Sequence, residues 1–377
     1  MQGIRLHLSK RKTIAKAYLS RMLIFKKMLM SWIVLAWMFW TCQPNSGPSA
    51  DAAGIPFDTN TFHNSPPASS LPPRIPKPAA GDTIEKKKLP KRKLSSTVLI
   101  PAIPDTMPYI PFDPTMLQAL YEQTTYLNRS DKQVRGASGI ERKEMLKTVE
   151  LLQGVQLLDP HALLQTFDFY RVNTELKSDK VRITGYYTPL VKASRTRTAQ
   201  FQYPLLRKPT SKVPSPAAIA SGVLAGKNLE LAWVGSKKEL KNAQMQGSCL
   251  LEFPDGKREH YGFGGSVKGA GGVYVFFTKV DEKVLGSGFF PLTAGYSVAV
   301  DPRFIPIGST FFAELPDVDA AGNLKGYTYR ILFAQDRGGA ILTTKRLDLY
   351  CGIGHKGLQE ARRINRYGRL WLLLPKQ

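Results

Sequence analysis

From Val181 onward, the chain is a succession of short β-rich runs separated by glycine and proline turns. The runs include VRITGYYTPLV, VYVFFTKV, YSVAVD, STFFAEL, YTYRILFAQD and RLWLLLP. Several short strands at regular spacing are typical of a barrel or a sandwich. Upstream, TMLQALYEQTTYL, ERKEMLKTVELLQGV and DPHALLQTFDFYRV have apolar residues at helical spacing, the last with Asp159 as N-cap and Pro160 at the first helical position. The sequence therefore predicts a mainly β fold with flanking helices.

The N-terminal segment has the layout of an export signal. Basic residues precede MLMSWIVLAWMFW, an uncharged run at 28–40 that is shorter than the roughly 20 residues a membrane-spanning helix needs. A basic flank, a short apolar core and small residues after it are typical of a signal peptide. Cys42 closes the run and resembles an acylated lipoprotein cysteine. We predict a signal peptide at 1–42 with a possible lipid anchor at Cys42; a plain signal peptide and an uncleaved anchor remain alternatives.

Residues 43–114 contain 15 of the 27 prolines. A segment so rich in proline and polar residues buries too little apolar area to offset its ordering entropy. We predict an extended, disordered linker at 43–114, with the folded part beginning near Thr115. The segment before Thr115 is then expected to be dispensable for chemistry.

The net charge of +24 indicates an anionic partner. Half of the excess lies in residues 1–100, which contain 16 Lys or Arg and 4 Asp or Glu. Nucleic-acid binders usually group their cations on a folded face, so an anionic polymer or membrane fits this charge distribution better.

Three cysteines are too few for a disulfide framework, although a Cys249–Cys351 pair is possible. No Cys or His pair has zinc-ligand spacing.

Three aspartates lie in or at the end of β-like runs: Asp301 in YSVAVDPRF, Asp336 in FAQDRGG and Asp348 in KRLDLYCG. A carboxylate beside apolar sequence is partly desolvated, and desolvation raises its pKa, as a general acid requires. The alternative is that these residues are caps and turn formers, since Asp before Gly is common in turns.

The combination of these blocks resembles one known family. LTAGYSVAVDPRFIPIGS, AQDRGGAI, RLDLYCGIG and GRLWLLLP, preceded by TGYYTPLVKASRTRTAQFQYPLLRKP and MQGS, are similar to the membrane-bound lytic transglycosylase A family with its C-terminal three-aspartate domain. The similarity covers roughly residues 115–375. It implies an α+β fold in which a double-psi β-barrel holds a smaller inserted β domain, with the substrate groove between them. The expected parts are helices and the start of the barrel at 115–192, a shortened inserted domain at 193–288, and the rest of the barrel at 289–377.

The resemblance also implies a reaction. Members of the family cleave the β-1,4 bond between N-acetylmuramic acid and N-acetylglucosamine in peptidoglycan and leave a 1,6-anhydro end, without cofactor or metal. The motif QDRGG assigns the catalytic role to Asp336, acting first as acid and then as base, with Gly338 and Gly339 making room for a sugar. Asp348 is expected to support it, and Asp301 to be structural or supporting.

The resemblance suggests a wider binding site as well. The residues expected to contact the glycan are Tyr187, Thr188, Gln246, Gly247 and Ser248, with Cys249 standing where the family usually has a glycine. Tyr186 and Tyr187 either stack on sugars or pack in the core. A basic stretch fits either glycan carboxylates or a solvated surface: Arg195, Arg197, Arg207 and Lys208.

The expected partners are peptidoglycan glycan strands and a membrane reached through the N-terminal anchor, with no nucleic acid and a monomeric chain. The expected location is the periplasm. If Cys42 is acylated, the protein is expected to be an outer-membrane lipoprotein. Two alternatives remain open: a muramidase that uses water on the same bond, and a non-catalytic peptidoglycan-binding or expansin-like barrel.

Overall fold

The computed structural model describes residues 92–110, 113–129, 137–154, 159–174, 178–281 and 283–377. The predictions of a leader at 1–42, of a lipid anchor at Cys42 and of a linker over residues 43–91 concern residues outside this part. Within the described ranges, no helix is both long and apolar enough to cross a membrane.

The larger sheet closes into a barrel. Its strand order is β1-β2-β14-β11-β12-β10-β13-β3, and β14 also pairs with β3, so six of these strands form a ring. The pairs β10–β12 and β13–β3 are parallel, whereas β11 is antiparallel to both β12 and β14. The strands are β1 Leu99–Pro101, β2 Phe167–Val172, β3 Val181–Thr188, β10 Ser297–Val300, β11 Thr310–Val318, β12 Leu324–Arg337, β13 Arg346–Ile353 and β14 Asn365–Pro375.

The core of the barrel is formed by the apolar runs that the sequence displays. Phe311, Phe312 and Phe333 are fully buried, and two helices, α1 (Pro114–Arg129) and α2 (Arg142–Gly154), add Met116, Leu127, Met145 and Leu152 to the same cluster. In α3 (Pro160–Thr166), Asp159 is the N-cap, as predicted, and accepts from the backbone N–H of His161. The helix ends at Thr166 because the following FDFYRV alternates as strand β2.

A second sheet lies between β3 and β10 in the chain. Its order is β5-β6-β4-β7-β8-β9, and it encloses its own apolar cluster, which includes Val191, Leu251 and Phe277. The mainly β prediction, with a barrel and a second β unit, is confirmed. The elements are β4 Leu190–Ser194, β5 Tyr203–Leu206, α4 Pro216–Ala220, β6 Glu230–Val234, α5 Lys237–Gln246, β7 Cys249–Glu252, β8 Arg258–Gly269 and β9 Gly272–Val280, with α6 Gly354–Arg363 following the barrel strand β13.

The linker prediction is wrong for residues 92–110. Strand β1 pairs with β2, and Val98 and Leu99 are 2% and 1% exposed. The Arg92 side chain, 5% exposed, pairs with Glu144 and donates to the carbonyl of Pro375. Proline is compatible with this strand because β1 is at the sheet edge, where a missing N–H donor is tolerated. The average composition of 43–114 conceals the short apolar run TVLIPAI.

Cys249 and Cys351 are both free thiols. The possible disulfide between them is therefore not formed.

Candidate active site

Asp336 lies near the end of β12, beside the central strand β10. In the register of these strands, Val298 is opposite Ala334 and Ala299 is opposite Asp336, so Gln335 is an extra residue in the ladder. Bulges of this kind turn the next side chain to a new direction and often lie beside active sites. The irregularity immediately before Asp336 therefore sets the direction of its carboxylate.

Three donors hold the Asp336 carboxylate. Oδ1 accepts from the backbone N–H groups of Ser287 (2.9 Å) and Arg337 (2.8 Å), and Oδ2 accepts from the hydroxyl of Tyr186 (3.0 Å). Ser287 belongs to the turn at 286–290, which follows the second sheet in the chain, and Tyr186 belongs to β3. The acid is thus fixed by parts of the chain that are far apart in sequence.

Burial raises the pKa of the Asp336 carboxyl above its ordinary value of 3.8, and the hydrogen bonds from Arg337, Ser287 and Tyr186 oppose part of that rise. Among the described residues, no Lys or Arg forms an ion pair with it. The pKa of Tyr186 is well above 10, because of burial first and then the charge on Asp336. The phenol consequently keeps its proton, and the acid is surrounded by neutral donors that do not force it to ionise.

Asp348 is at the same level of the barrel, since Ala299 is also opposite Asp348 on the other side of β10. Its oxygens are engaged: Arg346 donates to Oδ1 from Nε (2.7 Å) and to Oδ2 from Nη2 (3.0 Å), and the hydroxyl of Thr184 donates to Oδ1. This carboxylate is therefore paired with a cation, unlike Asp336. Its supporting role stays a prediction.

Asp301 is 4% exposed and belongs to a closed local motif. Arg303 donates to it from Nε (3.0 and 3.1 Å), from Nη2 (2.6 Å) and from its own backbone N–H (3.0 Å). These contacts agree with the structural alternative for Asp301. Sequence reasoning missed both arginine partners, although each stands two residues from its aspartate. Arg346 and Asp348 lie on the same face of the extended strand β13, whereas Arg303 follows Asp301 in a turn after β10.

A chain of contacts connects the acid to the second sheet. The ring of Tyr186 is 5.3 Å from that of Tyr350, whose hydroxyl is 3.1 Å from the hydroxyl of Thr188. Thr188 in turn lies 3.2 Å from the hydroxyl of Ser248. The predicted residues Tyr186, Thr188 and Ser248 are thus connected to Asp336 through hydrogen bonds and one contact between aromatic rings.

Two of the residues expected to contact substrate are buried. Tyr187 is 7% exposed and Thr188 is fully buried, and their contact with a glycan stays a prediction. The hydroxyl of Tyr187 accepts from Asn242, and its backbone N–H donates to Oε1 of Gln246 (3.2 Å). These residues fasten the barrel to α5. Gly247 ends that helix with φ of +74°, a conformation that favours glycine.

Gly338 and Gly339, which follow Asp336 in the motif QDRGG, have different surroundings. A Cβ on Gly338 would lie 2.9 Å from Cδ1 of Ile341, whereas a Cβ on Gly339 would meet nothing within 4 Å. The space beside Gly339 is therefore open, and its use by a sugar stays a prediction. Gly338 is small because Ile341 packs against it.

The basic stretch is partly neutralised within the second sheet. Arg195 pairs with Glu259 at 2.9 Å and covers the ring of Phe253 at 3.9 Å. Mainly through Arg195, the pKa of Glu259 is lowered to about 2. Arg207 donates to the carbonyl of Asn228. The stretch is thus fastened to its own sheet at these points.

Sequence reasoning missed the turn at 286–290. Its signal was the string GSGFF, in which two glycines precede two aromatics. Nothing in the string itself shows that Ser287 holds an acid 49 residues away.

Comparison with known protein families gives matches to two segments of the chain. A model of the "MltA specific insert domain" matches residues 182–217, and a model of the "3D domain" matches residues 296–374. The first covers nearly all of the barrel strand β3, together with β4 and β5 of the second sheet. The second covers the strands that carry all three aspartates.

Curated relatives share the same name. The chain is 32% identical over 240 residues to membrane-bound lytic murein transglycosylase A of Escherichia coli, covering 51% of this chain and 65% of that protein. It is 28% identical over 247 residues to the Vibrio cholerae protein, covering 52% and 66%. The match thus spans just under two thirds of these relatives.

Solved structures show the same fold. The crystal structure of Escherichia coli MltA with bound chitohexaose has a TM-score of 0.64 at 24% identity, covering 79% of this chain and all of that one. The membrane-bound lytic murein transglycosylase of Agrobacterium tumefaciens has a TM-score of 0.59 at 21% identity, covering 71% and 97%.

Proposed function

We propose that this chain, which belongs to the membrane-bound lytic murein transglycosylase A family, cleaves the glycan strands of peptidoglycan with Asp336 as its proton-transfer group. The observation that supports this most is the surroundings of Asp336: burial favours the neutral acid, and neutral donors fix its direction. The Escherichia coli relative carries the transglycosylase name, and its structure holds chitohexaose. Both support a glycan substrate.

The mechanism that we propose needs one carboxyl group. Protonated Asp336 gives its proton to the glycosidic oxygen while the bond from that oxygen to the muramic C1 breaks. The 6-hydroxyl of the same sugar then attacks C1 and returns its proton to the carboxylate. No water is consumed, the product carries a 1,6-anhydro ring, and Asp336 ends in its starting state.

The two carboxyl oxygens are suited to different tasks. Oδ1 accepts from two backbone N–H groups, which cannot accept a proton in return. Oδ2 accepts from the hydroxyl of Tyr186, which can donate to a carboxylate and accept from a carboxylic acid. We therefore assign the transferable proton to Oδ2, with Tyr186 following the change in protonation.

A hydrolase of the usual glycosidase type needs a second free carboxylate, either to activate water or to act as nucleophile. Asp348 is the nearest candidate in the register, but Arg346 and Thr184 occupy its oxygens. This pairing favours the one-carboxylate route over a muramidase. The nature of the released ends decides between the two.

The proposed setting is the periplasm, on a membrane. The basic flank, the apolar run at 28–40 and Cys42 support export with a lipid anchor, and the relatives are named as membrane-bound. In this setting a monomer works on the neighbouring peptidoglycan.

Clearing of isolated sacculi tests the proposal. The full chain should release soluble fragments, and the Asp336→Asn variant should not. Asp317→Asn is a matched control, because Asp317 lies on β11 opposite Gly326, near the start of β12 and away from the acid. A chain that binds sacculi and never clears them would instead be a non-catalytic peptidoglycan-binding barrel.

A further inference from the structure

Phe289 has an exposed side chain on an unfavourable backbone. The side chain is 77% exposed, and φ is +59°, in the left-handed region. A bulky residue seldom adopts this conformation, and where it does, the surrounding structure enforces it, often at a functional site. The exposed ring adds little to the core. Its position is therefore explained neither by packing nor by local backbone preference.

The turn that carries Phe289 is firmly fixed. The N–H of Gly286 donates to the carbonyl of Phe290 (3.0 Å), and the N–H of Phe289 donates to the carbonyl of Gly286 (2.9 Å). Phe290 is 1% exposed and stacks on Tyr126 at 4.7 Å. A Cβ on Gly286 would lie 2.2 Å from the carbonyl oxygen of Gln335. The turn is thus pressed against β12 next to the acid, and Phe289 cannot relax without moving it.

The same turn holds Asp336. The N–H of Ser287 donates to Oδ1 of Asp336 at 2.9 Å. Phe289 is two residues further on, so its Cα lies within about 7 Å of that of Ser287. The exposed ring of Phe289 and the N–H group of Ser287 that binds Asp336 therefore belong to the same hydrogen-bonded turn. The ring is on the solvent side of that turn.

We propose that the Phe289 ring is a stacking platform for one pyranose of the glycan strand, beside the bond that Asp336 acts on. The proposal rests on the function proposed above and names a positioning residue for it. A β-linked hexosamine has a face of C–H groups with its hydroxyls at the rim, and an uncharged flat ring covers such a face. A protein interface buries about 800 Å² on each partner, far more than one ring offers, whereas one sugar matches it.

Titration with chitohexaose, a β-1,4-linked hexosamine oligomer, tests the platform. The full chain is used in detergent, with Asp336→Asn as the parent so that the oligomer stays intact. Phe289→Asn removes the ring and keeps the backbone, because Asn tolerates positive φ. We expect about tenfold weaker binding, the equivalent of one lost apolar sugar face, with no fall in the melting temperature. Phe289→Trp should bind as well as the parent.

Tyr367→Asn is the matched control. Tyr367 is 54% exposed, and its neighbour Arg366 donates to the carbonyl of Gly322 in the turn before β12, at the other end of the strand from Asp336. This variant should bind as the parent does. In the active chain, Phe289→Asn should raise KM and leave kcat nearly unchanged.

The outcomes separate the two proposals. If the parent binds and Phe289→Asn binds equally well, the platform is wrong and the proposed function stands. If Phe289→Asn and Tyr367→Asn weaken binding alike, the effect is general and the platform is also refuted. If the parent does not bind the oligomer at all, both the platform and the glycan substrate are contradicted.

Discussion

Asp336→Asn should have opposite effects on activity and on stability. Asn is nearly isosteric: its Oδ1 can accept from the N–H groups of Ser287 and Arg337, and its amide can donate to the hydroxyl of Tyr186. The fold should therefore remain. Asn cannot give and recover a proton, however, and general acid–base catalysis contributes roughly 10²–10⁴-fold. Because one group performs both transfers, we expect a loss at or beyond the upper end of that range.

The effect on stability follows from linkage. The pKa of Asp336 is raised in the folded chain above the value of 3.8 that it has when exposed. The folded state therefore binds this proton more tightly, and stability is lost as the pH rises from about 4 through the folded pKa. Above about pH 4 this carboxyl group therefore destabilises the fold relative to a neutral side chain, because the unfolded chain ionises it more easily than the folded chain does. Each unit of elevation is worth about 1.4 kcal/mol, and about 1 kcal/mol moves the melting temperature of a large domain by roughly 2–4 °C.

Thermal unfolding of the wild type and of Asp336→Asn between pH 4 and pH 8 measures this directly. The variant should melt higher at pH 7, and its advantage should shrink as the pH falls towards 4. Asp317→Asn provides the control for a general loss of negative charge. A variant that melts lower at pH 7, or an advantage that grows towards acid pH, would refute the assignment of Asp336 as a carboxyl group with a raised pKa.

The remaining predictions concern the N-terminal segment and Tyr186. A chain that begins near residue 111 should fail to fold stably, because it loses Val98, Leu99 and the contacts of Arg92. Burial of the two apolar side chains alone contributes roughly 3–6 kcal/mol. The total free energy of unfolding of a domain is about 5–15 kcal/mol. Circular dichroism melting of this chain and of one beginning near residue 84 checks the point, and equal melting temperatures would restore the linker interpretation. Tyr186→Phe should keep the ring contact with Tyr350 but remove a hydrogen bond that lowers the pKa of Asp336. The alkaline limb of the pH–rate profile should then move to higher pH, and a limb that stays in place or moves to lower pH would show that Tyr186 does not act on the acid.

The sequence predicted those structural elements that are determined by residues close together in the chain. The N-cap at Asp159 and the start of α3 at Pro160 follow from adjacent residues alone. The β-rich runs around Asp301, Asp336 and Asp348 became barrel strands because they are short apolar runs bounded by turn residues, as buried strands are.

The long-range parts were not predictable in this way. Tyr186 reaches Asp336 across 150 residues because the barrel closes through the β14–β3 pairing. No local sequence pattern predicts that closure of the barrel. None predicts the burial of Thr188 either. Strand β1 was missed because its apolar run is short and surrounded by prolines, and its stability comes from pairing with β2.

The most direct test of the central claim is mass spectrometry of the muropeptides that the full chain releases from isolated sacculi. We expect fragments ending in 1,6-anhydro-N-acetylmuramic acid, each lighter by one water than the corresponding hydrolysis product, and no fragments from the Asp336→Asn variant. Fragments with only reducing N-acetylmuramic acid ends would show that water is the nucleophile. That result would contradict the single-carboxylate mechanism.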